Sequence, residues 1–288
     1  MCKTFVIDNG TRAIKAGFAG KEPKQYRHIN DNVIVRGNIE DWDNLCDAWQ
    51  NIFSEHGIQN FRETNLVVLR NPYEHLVNRK TIAEIMLEQY GFNSIGFAIA
   101  GLSSLHALNK TSGMVLSVGH GISHVVPVFE GYVVSSAVER IYLGGQDTIK
   151  HAIEHTGINQ RKIEKMQERT SFLADRKFRR MHDVLCNVLF GSVCETNIVQ
   201  MIQKSIDKCD MSLRKTMIKN ICLSGGLCAI PGFDEKIEAE LIQTCFFQPI
   251  TSSTTEPWTL DWYGASLLNG QEFFTSDDRW VYNDKLLK

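Results

Sequence analysis

The sequence predicts an α/β fold made of two similar lobes. Two glycine hairpins, residues 6–20 and 115–131, share one plan, in which an apolar strand turns at small polar residues and returns as a second apolar run. About a hundred residues separate them, which is typical of an internal duplication. Strand-like and helix-like segments alternate along the rest of the chain, which predicts mixed sheets flanked by helices.

The first half predicts a strand pair, a helix, a buried strand and two further helices. In order, these segments are 4–19, 41–56, 66–69, 78–90 and 97–108. The segment 41–56 is the clearest helix, because its apolar side chains recur on one face. Those side chains are Trp42, Leu45, Trp49, Ile52 and Phe53.

The second half repeats the plan, with strands in 113–142, helices at 148–155 and 198–209, a strand at 221–224 and an amphipathic helix at 233–245. No proline-rich or glycine-serine linker separates the halves, so we expect packed lobes joined by crossing segments. We expect lobes at 1–112 and 113–262, with 263–288 returning to the first lobe.

Composition points to a globular protein that does not bind nucleic acid directly. The chain is 43% hydrophobic and 22% charged, and its net charge of −2 leaves no excess of Lys and Arg for a phosphate backbone. The most basic stretch, 161–180, is interpreted as a solvated helix face or a partner patch. Its densest part consists of Arg176, Lys177, Arg179 and Arg180.

Eight cysteines occur singly, without a Cys-x-x-Cys pair, which favours reduced thiols and makes metal binding by Cys186, Cys194 or Cys209 improbable. The N-terminus enters a strand at once, and no apolar stretch has the length of a membrane span. We therefore expect a cytoplasmic, cytoskeletal protein without a membrane partner, with the nucleus as the alternative.

The first hairpin, with Asp8-Asn9-Gly10 and the run 15–20, resembles the phosphate loop of actin and actin-related proteins. Further segments of that family match in the same order, namely 41–43, 71–72 with 78–79, 125–132, 208–210, and 223–226 with 231–232. The resemblance implies a duplicated, ribonuclease H-like fold of two lobes with a nucleotide in the cleft between them. It also implies ATP or ADP with Mg²⁺ or Ca²⁺ as the ligand.

The resemblance also assigns candidate site residues. Asp8 would hold the metal indirectly, through water, although an Asx turn explains Asp-Asn-Gly equally well. The 224–226 turn would admit the adenosine, ahead of a helix whose N-terminus favours anions. The alternative is a simple turn between a strand and a helix. The candidate nucleotide-binding residues are Asp8, Gly10, Thr11, Lys15, Gly119, Gly121, Ser224, Gly225 and Gly226.

The second hairpin departs from the family where hydrolysis is concerned. Ser117 and His120 stand where the family has two acids, and Ala100 aligns with the glutamine that positions water. His124 matches the family histidine, although a lone histidine is more often a buried hydrogen-bonding group. A serine cannot activate water without a base, so we expect nucleotide binding without catalysis and assign no catalytic residue.

The chain is also short in two regions, about 21–40 and 150–196, where the family carries its two pointed-end small subdomains. Head-to-tail assembly needs two complementary faces, so a chain trimmed on one face can join a filament at one end only. We therefore expect a structural subunit that caps the pointed end of an actin-like filament, as in dynactin. The alternatives are a degenerate paralogue, a subunit of a nuclear chromatin-remodelling complex, and a weak ATPase.

The family's barbed-end partner groove maps onto His106, Leu267, Leu268 and Gln271. This groove would be more polar than usual and would bind amphipathic helices less well. The two leucines could equally be core residues of a C-terminal helix.

Overall fold

The computed structural model describes residues 2–167, 187–191, 196–243, 248–268 and 279–280. The chain divides into two compact units, unit 1 (Met1–Asn109 with Asp261–Lys288) and unit 2 (Lys110–Leu260). The expected lobe boundaries, after residues 112 and 262, lie within a few residues of these. The basic run 176–180, Cys186, Cys194 and Gln271 lie outside the described residues.

The strands follow one another in short segments. In chain order they are β1 (Lys3–Asn9), β2 (Ala13–Phe18), β3 (Lys24–Arg27), β4 (Ile34–Val35), β5 (Asn38–Ile39), β6 (Thr64–Arg70), β7 (Ser94–Ile99), β8 (Gly113–Val118), β9 (Ser123–Phe129), β10 (Tyr132–Val133), β11 (Glu139–Ile141), β12 (Ile221–Ser224), β13 (Thr251–Ser252) and β14 (Arg279–Trp280).

The helices come between the strands. They are α1 (Trp42–Glu55), α2 (Leu76–Glu84), α3 (Leu102–Ala107), α4 (Gly145–Thr156), α5 (Gln160–Gln167), α6 (Ile198–Lys208), α7 (Met211–Ile218), α8 (Phe233–Ile242) and α9 (Leu260–Ser266). A π-helical segment, Ile85–Tyr90, continues α2. None of the helices in the described part of the chain combines the length and the apolar character needed to cross a bilayer.

The main sheets of the two units share one strand plan. In unit 1 the order is β14-β7-β6-β1-β2-β3, and in unit 2 it is β13-β12-β8-β9-β10, with β11 also paired to β9. In each unit a hairpin strand pairs antiparallel with its return strand and parallel with the next strand of the sheet. The shared order and direction confirm the duplicated α/β fold predicted from the two hairpins.

Unit 1 is held by an apolar face on α1 and an aromatic cluster beneath it. Leu45, Trp49, Ile52 and Phe53 of α1 are buried, as the helical spacing predicted. The Phe53 ring meets Phe5 of β1 edge-on, at 5.9 Å between centroids. Asp41 accepts a hydrogen bond of 3.0 Å from the backbone N–H of Asn44 and caps the start of the helix.

One element prediction was wrong. The run 97–108 was expected to be a helix, but Phe97 and Ala98 are buried in β7, parallel to β6, and the helix α3 begins only at Leu102. Gly101, with φ of +88°, separates the two elements. A short apolar run fits a buried strand as well as a helix, so its periodicity could not decide between them.

The short segment 21–40 contributes little beyond strand edges. β3 lies at the edge of the unit 1 sheet, and β4 and β5 form a separate two-stranded hairpin. Its turn residues Arg36 and Gly37 both have positive φ, at 51° and 79°. This is the pattern of a tight two-residue β-hairpin.

The chain returns to unit 1 through α9, which packs directly on α3. The Trp262 side chain is fully buried, and its Nε1 donates a 3.0 Å hydrogen bond to the carbonyl oxygen of Val6. Asp261 Oδ1 accepts hydrogen bonds from Gly101 N at 2.6 Å and from Ser104 Oγ at 2.7 Å. These contacts tie α9 to the start of α3 and to β1.

Unit 2 has a main apolar core, to which α6 contributes, and a smaller apolar cluster. α6 lies against β9 and β11 and buries Ile198, Met201 and Ile202. Ser205, also on α6, is fully buried and donates a 2.6 Å hydrogen bond to the carbonyl oxygen of Ala137. α4 and α5 pack through a smaller cluster of Ile149, Ala152 and Ile163.

We predict that Gly264→Ala lowers the melting temperature. A Cβ at Gly264 would lie 1.7 Å from the carbonyl oxygen of Ser103, so α9 and α3 would have to separate, at a cost of about 1–3 kcal/mol. Gly226→Ala is the matched control, because a Cβ there meets no atom within 4 Å. Equal melting temperatures for both variants in thermal unfolding would contradict this packing.

A buried carboxyl group gives unit 1 a pH dependence. Glu74 lies between β6 and α2, and its Oε2 atom is inaccessible to solvent, without a hydrogen-bond partner among the described residues. Burial raises the pKa of Glu74 to about 7 from an ordinary value of 4.5, although the charges of Arg70 and Arg79 act to lower it.

Because the folded chain binds this proton more tightly than the unfolded chain, we predict that stability falls as pH rises from about 4.5 to about 7. The expected loss is about 2–3 kcal/mol. Glu74→Gln should remove this part of the slope while leaving the titration of all other groups in place. Unfolding midpoints measured across the range test this, and parallel profiles for wild type and variant would contradict it.

Candidate functional site

The first glycine loop, Gly10 to Arg12, joins β1 to β2 in unit 1. A Cβ at Gly10 would lie 2.8 Å from the carbonyl oxygen of Ala13, so only glycine fits this turn. The Gly10 N–H donates a 3.1 Å hydrogen bond to the carbonyl oxygen of Asp8. Thr11 and Arg12 follow, both half-buried.

Asp8 and Lys15 face each other across the hairpin. They are register partners in the β1–β2 pair, and Lys15 Nζ lies 2.5 Å from Asp8 Oδ2. Their side chains are only 21% and 18% exposed, so the ion pair is stronger than a surface pair but still reachable by a ligand. The structure thus joins the residues assigned to the metal and to the phosphate tail in one charge pair.

Three side chains outside the assigned set fix this loop. Trp49 of α1 donates a 3.0 Å hydrogen bond from Nε1 to Asn9 Oδ1. His28 Nε2 donates to the carbonyl oxygen of Gly10 at 2.8 Å, since a carbonyl can only accept. Sequence reasoning placed Trp49 on an apolar face only, although a buried indole N–H needs an acceptor. No sequence signal pointed to His28.

The second glycine loop, 119–122 of unit 2, rests on the first turn of α4. Gly119 N–H donates to the Ile122 carbonyl oxygen at 3.0 Å, and the Gly145 and Gln146 N–H groups donate to the Gly119 and His120 carbonyl oxygens at 3.0 and 2.9 Å. The first donors of α4 are therefore occupied by the loop. Gly121 is buried beside them.

Glycines at the start of α4 make room for this contact. A Cβ at Gly144 would lie 2.5 Å from the His120 carbonyl oxygen, and one at Gly145 would lie 2.8 Å from the His120 Nδ1 atom. His120 therefore lies against the start of α4, and this position carries no carboxylate.

The 224–226 turn lies beside the second loop within unit 2. Ser224 is the register partner of Ser117 in the parallel β8–β12 pair. A Cβ at Gly225, whose φ is +90°, would lie 2.5 Å from the carbonyl oxygen of Val118. Gly226, by contrast, faces open space.

Two polar groups of this turn already have hydrogen-bond partners within unit 2. Ser224 Oγ and Gly225 N–H both donate to the carbonyl oxygen of Pro257, at 3.3 and 3.0 Å. A short 3₁₀ helix follows at Gly226–Ala229, and α8 begins only at Phe233. Helical segments therefore follow the turn as expected, and the preference of a helix N-terminus there for anions stays a prediction.

The residues expected to handle water are apolar or buried. Ser117 is 7% exposed and lies opposite His124, which is 6% exposed, in the β8–β9 register. No carboxylate occurs in 117–124. Ala100 packs against the apolar cluster around Val6 and Trp262 in unit 1. Of Ser117, His124 and Ala100, none offers a carboxylate as general base for an attacking water.

The candidate partner groove lies in unit 1, on α3 and just after α9. His106 is half-buried on α3, Leu267 is 40% exposed, and Leu268 is 5% exposed within the cluster of Val6 and Trp262. Leu268 is thus a core residue, as the alternative interpretation held, whereas Leu267 remains open to a partner.

Comparison with known proteins agrees with this fold. The family model described as Actin matches residues 23–184 and 192–281. An actin-like protein of Neurospora crassa is 23% identical over 373 aligned positions, covering 98% of this chain and 96% of that protein. The alignment is longer than the 288 residues of this chain, so the relative carries insertions that this chain lacks.

The family match begins after the first hairpin, whereas the alignment with the fungal protein covers nearly the whole chain. Together with the duplicated strand plan of the two units, the family match over most of the sequence establishes that the chain belongs to the actin family.

Proposed function

We propose that this chain is a structural actin-related subunit of a cytoskeletal assembly that does not hydrolyse nucleotide. The observation that carries the proposal is the second loop, where Ser117 and His120 stand in a segment without any carboxylate. Phosphoryl transfer relies on groups that position and activate water, and this segment offers no carboxylate for that task. Each unit has an apolar core among the described residues, so we infer that the fold is kept while the hydrolytic chemistry is lost.

The first loop supports nucleotide binding without turnover. The Asp8–Lys15 pair and the Gly10 turn offer an ammonium group and a carboxylate at one end of β1. An ATP or ADP phosphate would approach Lys15, and a divalent cation would offset the repulsion between phosphate and Asp8. Contacts from Gly119, Gly121, Ser224, Gly225 and Gly226 stay predictions.

The trimmed segment 21–40 supports a role at a filament end. In this chain it amounts to an edge strand and the β4–β5 hairpin, and the actin-like relative carries insertions that this chain lacks. A protomer needs two different faces to continue a head-to-tail filament. We propose that this chain joins at its intact face only, and so caps the pointed end in the cytoplasm.

The partner prediction is tested by affinity purification of the full-length tagged chain from its own cells, followed by mass spectrometry. We expect co-purification of an actin-related filament with dynactin-type subunits. Leu267→Glu, which adds charge to the exposed groove residue, should reduce a partner held there, and Tyr132→Glu is the control at another exposed apolar position. Recovery of a chromatin-remodelling complex, or of no partner, would contradict the cap.

The nucleotide prediction is tested by measuring ATP retained by the purified chain. Asp8→Ala and Gly226→Trp should both lose it. The first change removes the partner of Lys15, and the second places a large side chain where a Cβ meets nothing within 4 Å, so folding should persist. Asp31→Ala, at an exposed position, is the control. Unchanged retention in both variants would contradict the proposed contacts.

A further inference from the structure

A compact group of metal-ligating side chains lies on α4, away from both glycine loops. His151, Glu154 and His155 each offer one ligand atom, and these atoms all lie within 4.8 Å of one another. His151 is half-buried, and the other two residues are exposed. Among the described residues, this is the one group of three histidine, cysteine or acidic side chains whose ligand atoms are close enough together to hold an ion.

The geometry of α4 brings these side chains together. Residues three and four positions apart share one helix face, so His151, Glu154 and His155 project from the same side. Ile149 and Ala152 are buried against Ile163 of α5. This packing fixes the rotation of α4 and keeps the histidine side outward.

A hydrogen bond sets the protonation of one imidazole. His155 Nδ1 lies 2.9 Å from the carbonyl oxygen of His151. A carbonyl oxygen only accepts, so Nδ1 carries the proton and the free lone pair is on Nε2. Metal-bound histidines commonly donate their other ring nitrogen in this way, which orients the ring and makes it a better ligand.

The two rings already lie close to each other. Their centroids are 3.8 Å apart, with 37° between the planes. Bringing both nitrogens and a Glu154 oxygen to about 2.0–2.2 Å from one ion calls for rotation about side-chain bonds, from ligand atoms that already lie within 4.8 Å of one another. The position also suits a cation, because His155 lies in the last turn of α4, at the negative end of the helix dipole.

We propose that His151, Glu154 and His155 form a divalent transition-metal site, fitted to Zn²⁺, at the C-terminal end of α4. Two imidazoles and one carboxylate are the ligand set that zinc accepts while keeping a position for water. The ion bridges consecutive turns of α4 and stabilises the end of the helix that packs on α5. The site binds zinc as a structural ion, and no reaction is assigned to it.

The test uses the full chain, stripped with a chelator and titrated with zinc against a metal-sensitive dye. We expect saturable binding of one ion per chain, weakened about tenfold or more by His151→Ala or His155→Ala and to a smaller extent by Glu154→Gln. His75→Ala, which removes an exposed histidine of unit 1, should leave the affinity unchanged. Binding that survives in the His151→Ala/His155→Ala double variant would overturn the assignment.

Thermal unfolding provides a second readout, since an ion that binds only the folded chain raises its melting temperature. We expect zinc to raise the midpoint of the wild type and of His75→Ala, but not that of the double variant. Without zinc, all of these proteins should unfold at nearly the same temperature, because the altered side chains are not part of a core. Equal zinc-induced shifts in wild type and double variant would overturn the proposal.

Discussion

The architecture of both units depends on one pairing, in which the first strand of a glycine hairpin lies parallel to the strand that follows it in the sheet. β1 pairs with β6 in unit 1, and β8 pairs with β12 in unit 2. This pairing fixes where each hairpin turn lies relative to the ends of its neighbours. It also explains why glycine is required, since Gly10 and Gly225 leave no space for a Cβ beside neighbouring backbone atoms.

The same scaffold accounts for the contrast between the two loops. In the first, the hairpin holds a charge pair with about one-fifth of each side chain exposed, and Trp49 and His28 bond to the adjoining residues Asn9 and Gly10. In the second, the Gly119 and His120 carbonyl oxygens accept hydrogen bonds from the start of α4, and residues 117–124 contain no carboxylate. Both loops therefore rest on the same strand plan but differ in charge.

Much of the fold could be predicted because it rests on local patterns. The spacing of the side chains predicts the apolar face of α1 and the two hairpins. The run 97–108 was assigned to a helix wrongly, since two of its residues are buried in a parallel strand, where apolar runs lack periodicity. The α9–α3 contact was also missed. Gly264 is needed because the Ser103 carbonyl oxygen lies against it, and this contact is visible only in the folded structure.

The candidate site was predicted in part. The turn residues of the first loop could be predicted from the sequence, but the side chains that hydrogen-bond to that loop could not. The bonds from Trp49 to Asn9 and from His28 to Gly10 join residues 40 and 18 positions apart, and side-chain hydrogen bonds over such separations leave no pattern in one sequence. The sequence likewise did not indicate which of the two leucines after α9 is buried, and in the structure it is Leu268.

The most direct test of the account is phosphate release by the purified full chain loaded with ATP. We expect the bound nucleotide to remain ATP, with no sustained release of phosphate above the rate in buffer, because residues 117–124 offer no carboxylate to activate water. Sustained turnover by the pure chain would contradict the central claim and identify the protein as an active nucleotide hydrolase of the actin family.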